Sequence, residues 1–552
     1  MTSASSPRRP IAESVPRLLR RLGVTYPAAL SPGKTALAPR ALERLASVPR
    51  LRRYASRQFI NFYAYATPPR PRAWSLDSDY TTWTGLSDPH VTGRHLPPVS
   101  PETIARWPEE REVAALFRRE HETRSTDTSV WFMFFAQWFT DSFLRTSRED
   151  FRRNTSNQDI DLCQIYGLGP PQTRMLRAMA GGRLKSQLIE GEEFPVFLFA
   201  EREPGAPLAF KPEFEGLHDE RFVIDTILGG GADERCDRVF AVGLEHGNAT
   251  IGNTLFNTLF LREHNRIAGV LSGEHPDWDD DRVFETTRNV MIVLLLKVVV
   301  EDYIRHIGPF DFALEAVPLI ADQERWNRPN RIAVEFNLLY RWHALVPDTI
   351  GEGDDRLSPG EFLNNNQLLI SRGFDSLVTQ CSRARSGKIG LLNTPAFLVD
   401  RSDPERPSLE ERSVALMRRA RLRSFNDYRE SYGLNRVGSY ADLTSDQEVR
   451  ERLEALYGPD IDDLEWYPGI FAEDYPDYLM MGELLMTMVA NDAFTQALTN
   501  PLLARSVFTE DTFSPTGMRI LTETTSLVEI VRRNASDPDC AVATFSWAGA
   551  AP

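Results

Sequence analysis

The chain has 552 residues, 42% of them hydrophobic, and a formal net charge of −15. That length can bury a large core, and no run of 18 or more apolar residues is present to span a bilayer as a helix. Charge is unevenly placed: residues 1–72 hold 14 Lys and Arg against only Glu13 and Glu43, a local +12, which leaves −27 for residues 73–552. An acidic body with no nucleic-acid-reading motif argues against a nucleic-acid partner, while the basic arm suits an anionic surface.

Residues 1–10 read as disordered. Residues 11–72 alternate short helical pieces with proline stops, and Val15–Leu22 and Arg40–Phe62 mix apolar residues with arginines. Such helices either lie in a membrane interface or pack on a body with their arginines in solvent. Pro68–Arg72 reads as a hinge. From Ala73 onward the apolar periodicity predicts a mostly α chain, one large domain over residues 73–552. Its main segments are Val130–Arg145, Asn253–Leu271, Asp281–Ile307, Asn330–Leu345, Glu410–Ser424 and Gly482–Leu498, with few strand-like runs such as Phe194–Ala200. Cys163, Cys236, Cys381 and Cys540 have no close spacing, so neither a disulfide framework nor a zinc site is expected. With no apolar signal-peptide core, these features point to a cytoplasmic protein, peripheral on the inner membrane face.

The sharpest local pattern is Glu335-Phe-Asn-Leu-Leu-Tyr340-Arg-Trp-His343. On one helix Tyr340 and His343 would share a face. A neutral imidazole is a standard axial ligand of haem iron, and a tyrosine one turn away is placed to give an oxidised haem its electron. The spacing is equally compatible with two packing residues. No phosphate-binding glycine loop and no Gly-x-Ser-x-Gly elbow occurs.

The run Asn330–Asp348 resembles the proximal-haem segment of prostaglandin endoperoxide synthases. Leu261-Arg-Glu-His-Asn-Arg266 with Glu274-His-Pro-Asp-Trp278, Phe135-Ala-Gln-Trp-Phe-Thr140, Glu465-Trp-Tyr-Pro-Gly469 and Thr92-Gly-Arg-His-Leu-Pro-Pro98 resemble further signatures of the same family, in the same order. The chain is thus similar, over roughly residues 80–535, to the animal-type haem peroxidase–cyclooxygenase superfamily. The resemblance implies a large helical peroxidase fold, haem b, a long-chain fatty acid and dioxygen as substrates, and a homodimer. It makes His343 the proximal iron ligand, Tyr340 the radical-bearing residue, and Tyr467 a residue behind the proximal histidine that tunes it. Arg57 is the match for an arginine that pairs with the substrate carboxylate; the alternative is one more interface arginine. Ala493 or Thr495, depending on alignment, falls at the far end of the acyl channel.

Two departures from the family stand out. Gln137 is present on the distal side, but Asp141 stands where a histidine is expected. A carboxyl with an ordinary pKa of about 4 is a base and a poor acid, so peroxidase turnover is expected to be weak unless burial raises that value. His246 occupies the place of a small apolar residue over the distal pocket and restores an imidazole there, or else points elsewhere. The implied function is a haem-dependent dioxygenase that oxygenates an unsaturated fatty acid to a hydroperoxide or endoperoxide. The rivals are a peroxidase of small reductants and a non-catalytic haem- or lipid-binding protein.

Overall fold

The computed structural model describes residues 48–67, 72–203, 206–230, 235–308, 314–316, 321–328, 331–351, 353–538 and 542–549. The expected disorder at residues 1–10, the helix Val15–Leu22 and most of the Pro68–Arg72 hinge lie outside the described residues. Helices dominate, as the periodicity predicts, and the strands among the described residues form three two-stranded antiparallel ribbons. These are β1 (Trp74–Ser75) with β2 (Gly93–Arg94), β3 (Arg124–Ser129) with β6 (Arg385–Gly387), and β4 (Ser186–Ile189) with β5 (Glu192–Pro195). Most of the expected strand Phe194–Ala200 is not a strand. Beyond Pro195 it makes only isolated bridges, Phe197 to Phe240 and Phe199 to Phe210, and the proline supplies no N–H to prolong the ladder.

Helix α1 (Pro49–Ala64) opens on a proline, whose missing N–H costs nothing in a first turn. Its second half is buried from Phe59 to Ala64, while Leu51 and Tyr54 stay exposed. Helix α2 (Val130–Thr140) follows β3 directly, and the Ser129 hydroxyl caps it by accepting from the Phe132 N–H. It is apolar around nearly its whole circumference, the pattern of a helix inside a core. It stops short of the predicted Arg145, with Asp141 at its end. Helix α3 (Ile251–Glu274) runs beside α2, and Gly252 permits the approach: a Cβ there would lie 2.2 Å from the Phe134 ring. Helix α4 (Asp280–Lys297) continues into a wider π-helical turn, Val298–Tyr303, before an α turn at Ile304–Ile307.

Helix α5 (Val334–Leu339) is shorter than Asn330–Leu345, and the difference bears on the site. Tyr340 has φ −93° and ψ 14°, and Trp342 has ψ 48°, so the α geometry ends before either Tyr340 or His343. Pro347 bars α conformation at Val346, and the tight turn His343–Leu345 instead abuts β6 at Gly387, where an added Cβ would lie 1.9 Å from the Ala344 carbonyl oxygen. Helices α6 (Leu409–Arg419), α7 (Trp466–Ala472) and α8 (Glu483–Ala497) complete the surroundings of the site. α1 packs against α8, with Phe59 edge-on to Phe494 at 5.8 Å. The Arg-Glu-His-Asn-Arg run on α3 is a buried polar network. Glu263 takes Arg266, Arg533 and Asn534, and His264 bridges the Tyr166 hydroxyl (2.8 Å) and the Gly182 carbonyl (2.9 Å).

Candidate active site

The end of α2, the turn after α5 and the start of α6 enclose a cavity of about 400 Å³ whose wall includes Gln137, Asp141, Thr250, Tyr340, His343 and Leu409. Gln137 is the one exposed residue of α2, and its exposure is to this space. The close packing at Gly252 brings α3 alongside: the Thr250 hydroxyl donates to the Gln137 Oε1 at 3.4 Å, and the Asn253 amide to the Asp141 Oδ2 at 3.2 Å. Burial raises the Asp141 carboxyl to about 7, against the opposing pull of Arg145 and of the Asn253 hydrogen bond. The ordinary carboxylate range expected from composition therefore does not apply, and Asp141 can give as well as take a proton near neutrality.

Tyr340 and His343 do not share a helix, which corrects the sequence expectation, yet the turn delivers both to one cavity. The Tyr340 hydroxyl is buried and, among the described residues, has no hydrogen-bond partner, and neither has that of Tyr303, on the π-helical turn. Burial pushes both phenols up, and each perturbs the ionisation of the other, so the two hydroxyls are close without a well-formed bond. Phe336 edge-on at 5.4 Å and Trp342 at 4.6 Å wall the Tyr340 ring.

The His343 Nδ1 lies 2.7 Å from the Glu410 Oε1, and the Tyr467 hydroxyl donates to the Glu410 Oε2 at 2.9 Å. A carboxylate accepts, so the imidazole proton sits on Nδ1 and the Nε2 lone pair is left for the cavity. Among the described residues Nε2 has no hydrogen-bond partner. This donor set fits a haem: one basic nitrogen, with an amide and a titratable carboxyl on the same cavity wall. Tyr467 makes no direct contact with His343 and reaches it through Glu410, which sequence reasoning missed. The signal was there, because Glu410 falls on the Ser413, Val414 and Met417 face of α6, all of it buried.

His246 lines a neighbouring cavity of about 570 Å³, which shares Asp141, Leu144, Asn337 and Arg341 with the first. Burial lowers its pKa, so the imidazole is neutral, and its ring meets Phe222 edge-on at 5.7 Å. Arg57, Ala493 and Thr495 line neither cavity. Arg57 donates to the Glu324 Oε1 at 2.8 Å, and the Tyr65 hydroxyl holds the other oxygen at 3.0 Å. Ala493 and Thr495 are buried on α8, where the Thr495 hydroxyl bonds the Asn491 carbonyl at 2.6 Å. Their neighbour Asp492 is held by Arg72 and by the His95 Nε2 at 2.9 Å, and its charge helps to raise Tyr340. No helix among the described residues is long and apolar enough to cross a membrane.

Comparison with known proteins agrees with this geometry. A family model described as animal haem peroxidase matches residues 145–544. Rat prostaglandin G/H synthase 1 is 32% identical over 484 residues, 84% of this chain and 74% of the relative; horse prostaglandin G/H synthase 2 is 30% identical over 491 residues. Among solved structures, the fatty acid alpha-dioxygenase of Oryza sativa superposes with a TM-score of 0.70 at 17% identity, over 99% of this chain and 98% of that one. Peroxidase A of Dictyostelium discoideum superposes with a TM-score of 0.64 at 18% identity, over 87% and 99%. At that identity these two likenesses concern the fold. The matched family and the prostaglandin synthase relatives, together with the histidine-walled cavity, establish that the chain belongs to the animal haem peroxidase family and is a haem-dependent, cyclooxygenase-like oxidoreductase.

Proposed function

We propose that this enzyme holds haem b on His343 and oxygenates a long-chain fatty acid with dioxygen through a radical on Tyr340. The observation that carries the reading is the convergence on one cavity of an unbonded, buried phenol and an imidazole whose Nδ1 is already committed to a carboxylate. The names of the relatives, prostaglandin synthases and fatty acid alpha-dioxygenases, support the substrate class. Haem, when bound, supplies an oxidising equivalent drawn from a hydroperoxide. His343 holds the iron, Gln137 orients the peroxide by hydrogen bonding, and Asp141 carries a proton from its near oxygen to the departing one. His246, neutral in the neighbouring cavity that Asp141 also lines, restores an imidazole on that side. Tyr340 gives up an electron and releases its hydroxyl proton, and the resulting phenoxyl then removes a hydrogen atom from an acyl carbon, becoming a phenol again. Dioxygen adds to the carbon radical, and the resulting peroxyl radical, directly or after closing to an endoperoxide if the chain is folded, takes that hydrogen atom back from Tyr340 to give a hydroperoxide and restore the tyrosyl radical.

Arg57 anchors the fatty-acid carboxylate by exchanging Glu324 for it, since guanidinium forks take either carboxylate bidentately. Ala493 and Thr495 border the acyl chain; with its hydroxyl turned to its own helix, Thr495 presents a methyl group. Exposed Leu51 and Tyr54 on the basic helix α1 suit collection of lipid from a membrane surface. The test is oxygen uptake by haem-loaded enzyme over a panel of fatty acids. Tyr340→Phe should keep the histidine-ligated Soret band and lose fatty-acid-dependent uptake; uptake that survives refutes the radical step. The rival, a peroxidase of small reductants, gains from an Asp141 that titrates near neutrality, and it requires phenol oxidation to exceed oxygen uptake and to persist in Tyr340→Phe.

A further inference from the structure

We propose that Glu410 is a positioning residue that sets the electron donation of His343, with the Tyr467 hydroxyl as its counterweight. The idea rests on the reading of His343 as iron ligand and goes beyond it by assigning the oxidation-state preference of the site. The contacts are direct and buried. Glu410 is fully buried, its Oε1 is 2.7 Å from the His343 Nδ1, and its Oε2 receives the Tyr467 hydroxyl at 2.9 Å. The Thr394 hydroxyl reaches Oε1 more distantly, at 3.4 Å.

The chemistry follows from what each group can do. A carboxylate at short distance attracts the Nδ1 proton and leaves the ring more electron-rich at Nε2, and electron-rich axial ligands favour the oxidised states of iron. The same hydrogen bond fixes the tautomer and the ring plane. Tyr467 withdraws carboxylate charge in the opposite direction, so the donation reaching Nε2 is a balance of two hydrogen bonds to one carboxylate. Glu410 and Tyr467 come from α6 and α7, and the balance therefore depends on how those helices are docked. An oxidant strong enough to take an electron from Tyr340 yet retained in the ferric state at rest is what such a balance adjusts.

The two partners predict opposite signs, which a merely structural role does not. In haem-loaded, reduced enzyme, the iron–histidine stretching frequency measured by resonance Raman should fall in Glu410→Gln and rise in Tyr467→Phe. The ferric/ferrous potential should move up in the first and down in the second. Haem affinity should weaken about 10–100-fold in Glu410→Ala, the usual consequence of removing a ligand's outer partner. Equal frequencies and potentials in wild type, Glu410→Gln and Tyr467→Phe overturn the proposal, as do shifts of the same sign in both variants. His343→Ala separates the two layers. If the histidine-ligated band survives there, the ligand assignment falls and the proposal with it; if the band is lost there but Glu410→Gln leaves the stretch unmoved, only the proposal falls.

Discussion

At the scale of single residues, Asp141 shows what burial does to a composition-based expectation. An exposed aspartate titrates near 4, far too low to return a proton to a departing oxygen at neutral pH. In its cavity wall the carboxyl rises to about 7, because desolvation outweighs Arg145 and the Asn253 amide. In the proposed shuttle Asp141 first accepts a proton, so the rate at which hydroperoxide oxidises the haem should climb with pH through an apparent pKa near 7 and level off above it. Stopped-flow rates from pH 5 to 9 check this, and Asp141→Asn should flatten the profile and slow the step. The sign for stability runs the other way. The folded carboxyl holds its proton up to about 7 and the unfolded one only to about 4, so ionisation costs stability progressively across that window and fully above it. Asp141→Asn should accordingly raise the Tm more at pH 8 than at pH 4; a larger gain at pH 4 would mean the carboxyl is not held up in the fold. The identity of Asp141 was legible in the sequence, but its proton affinity was not, since it depends on burial, set against Arg145 and the Asn253 amide, which only the fold provides.

At the scale of elements, the helices were largely readable and their ends were not. The periodic runs at Ile251–Glu274 and Glu483–Ala497 give helices close to those expected, because caps and apolar stripes are local signals. The turn that carries Tyr340 and His343 is fixed instead by docking against β6 at Gly387, a partner more than forty residues away. Glu410 and Tyr303 escaped notice for the same reason: each matters through a side chain from another element. The α2–α3 contact allows a direct test. A methyl group at Gly252 would sit 2.2 Å from the Phe134 ring, which is itself buried and cannot swing aside. Overpacking of this kind costs about 1–3 kcal/mol, while replacing a helical glycine by alanine gains at most about 1 kcal/mol, so the clash wins. Gly252→Ala should lower the unfolding free energy and disturb the Thr250–Gln137 contact, weakening hydroperoxide activation. Gly269→Ala, on the same helix and exposed with nothing near its missing Cβ, should stabilise by a few tenths to about 1 kcal/mol. Denaturant unfolding of the two variants should move in opposite directions.

At the scale of the whole molecule, the wall of the cavity that carries His343 is held by a buried ion pair outside the cavity. Arg418 on α6 donates through Nε and a terminal nitrogen to Glu465, at 2.8 and 2.7 Å, and the Tyr457 hydroxyl joins the same carboxylate at 2.8 Å. Glu465 immediately precedes the first residue of α7, so this pair sets how α6, bearing Glu410, meets α7, bearing Tyr467. Burial nonetheless keeps the Glu465 carboxyl above its ordinary range, because desolvation exceeds the pull of Arg418. Two consequences differ in sign. Removing one partner leaves a buried, uncompensated charge, and such breaks typically cost about 3–5 kcal/mol; replacing both by apolar groups of similar volume is often neutral or stabilising. Arg418→Met should therefore lower the Tm sharply and displace Glu410 from His343, visible as weakened haem binding. The double variant Arg418→Met with Glu465→Met should recover most of the Tm. It should not recover the haem affinity, because apolar packing restores cohesion between the helices without restoring the fixed angle that a two-point hydrogen-bonded pair imposes. If Tm and haem affinity instead return together, the pair serves stability alone, and the register of Glu410 against Tyr467 is set by the surrounding core.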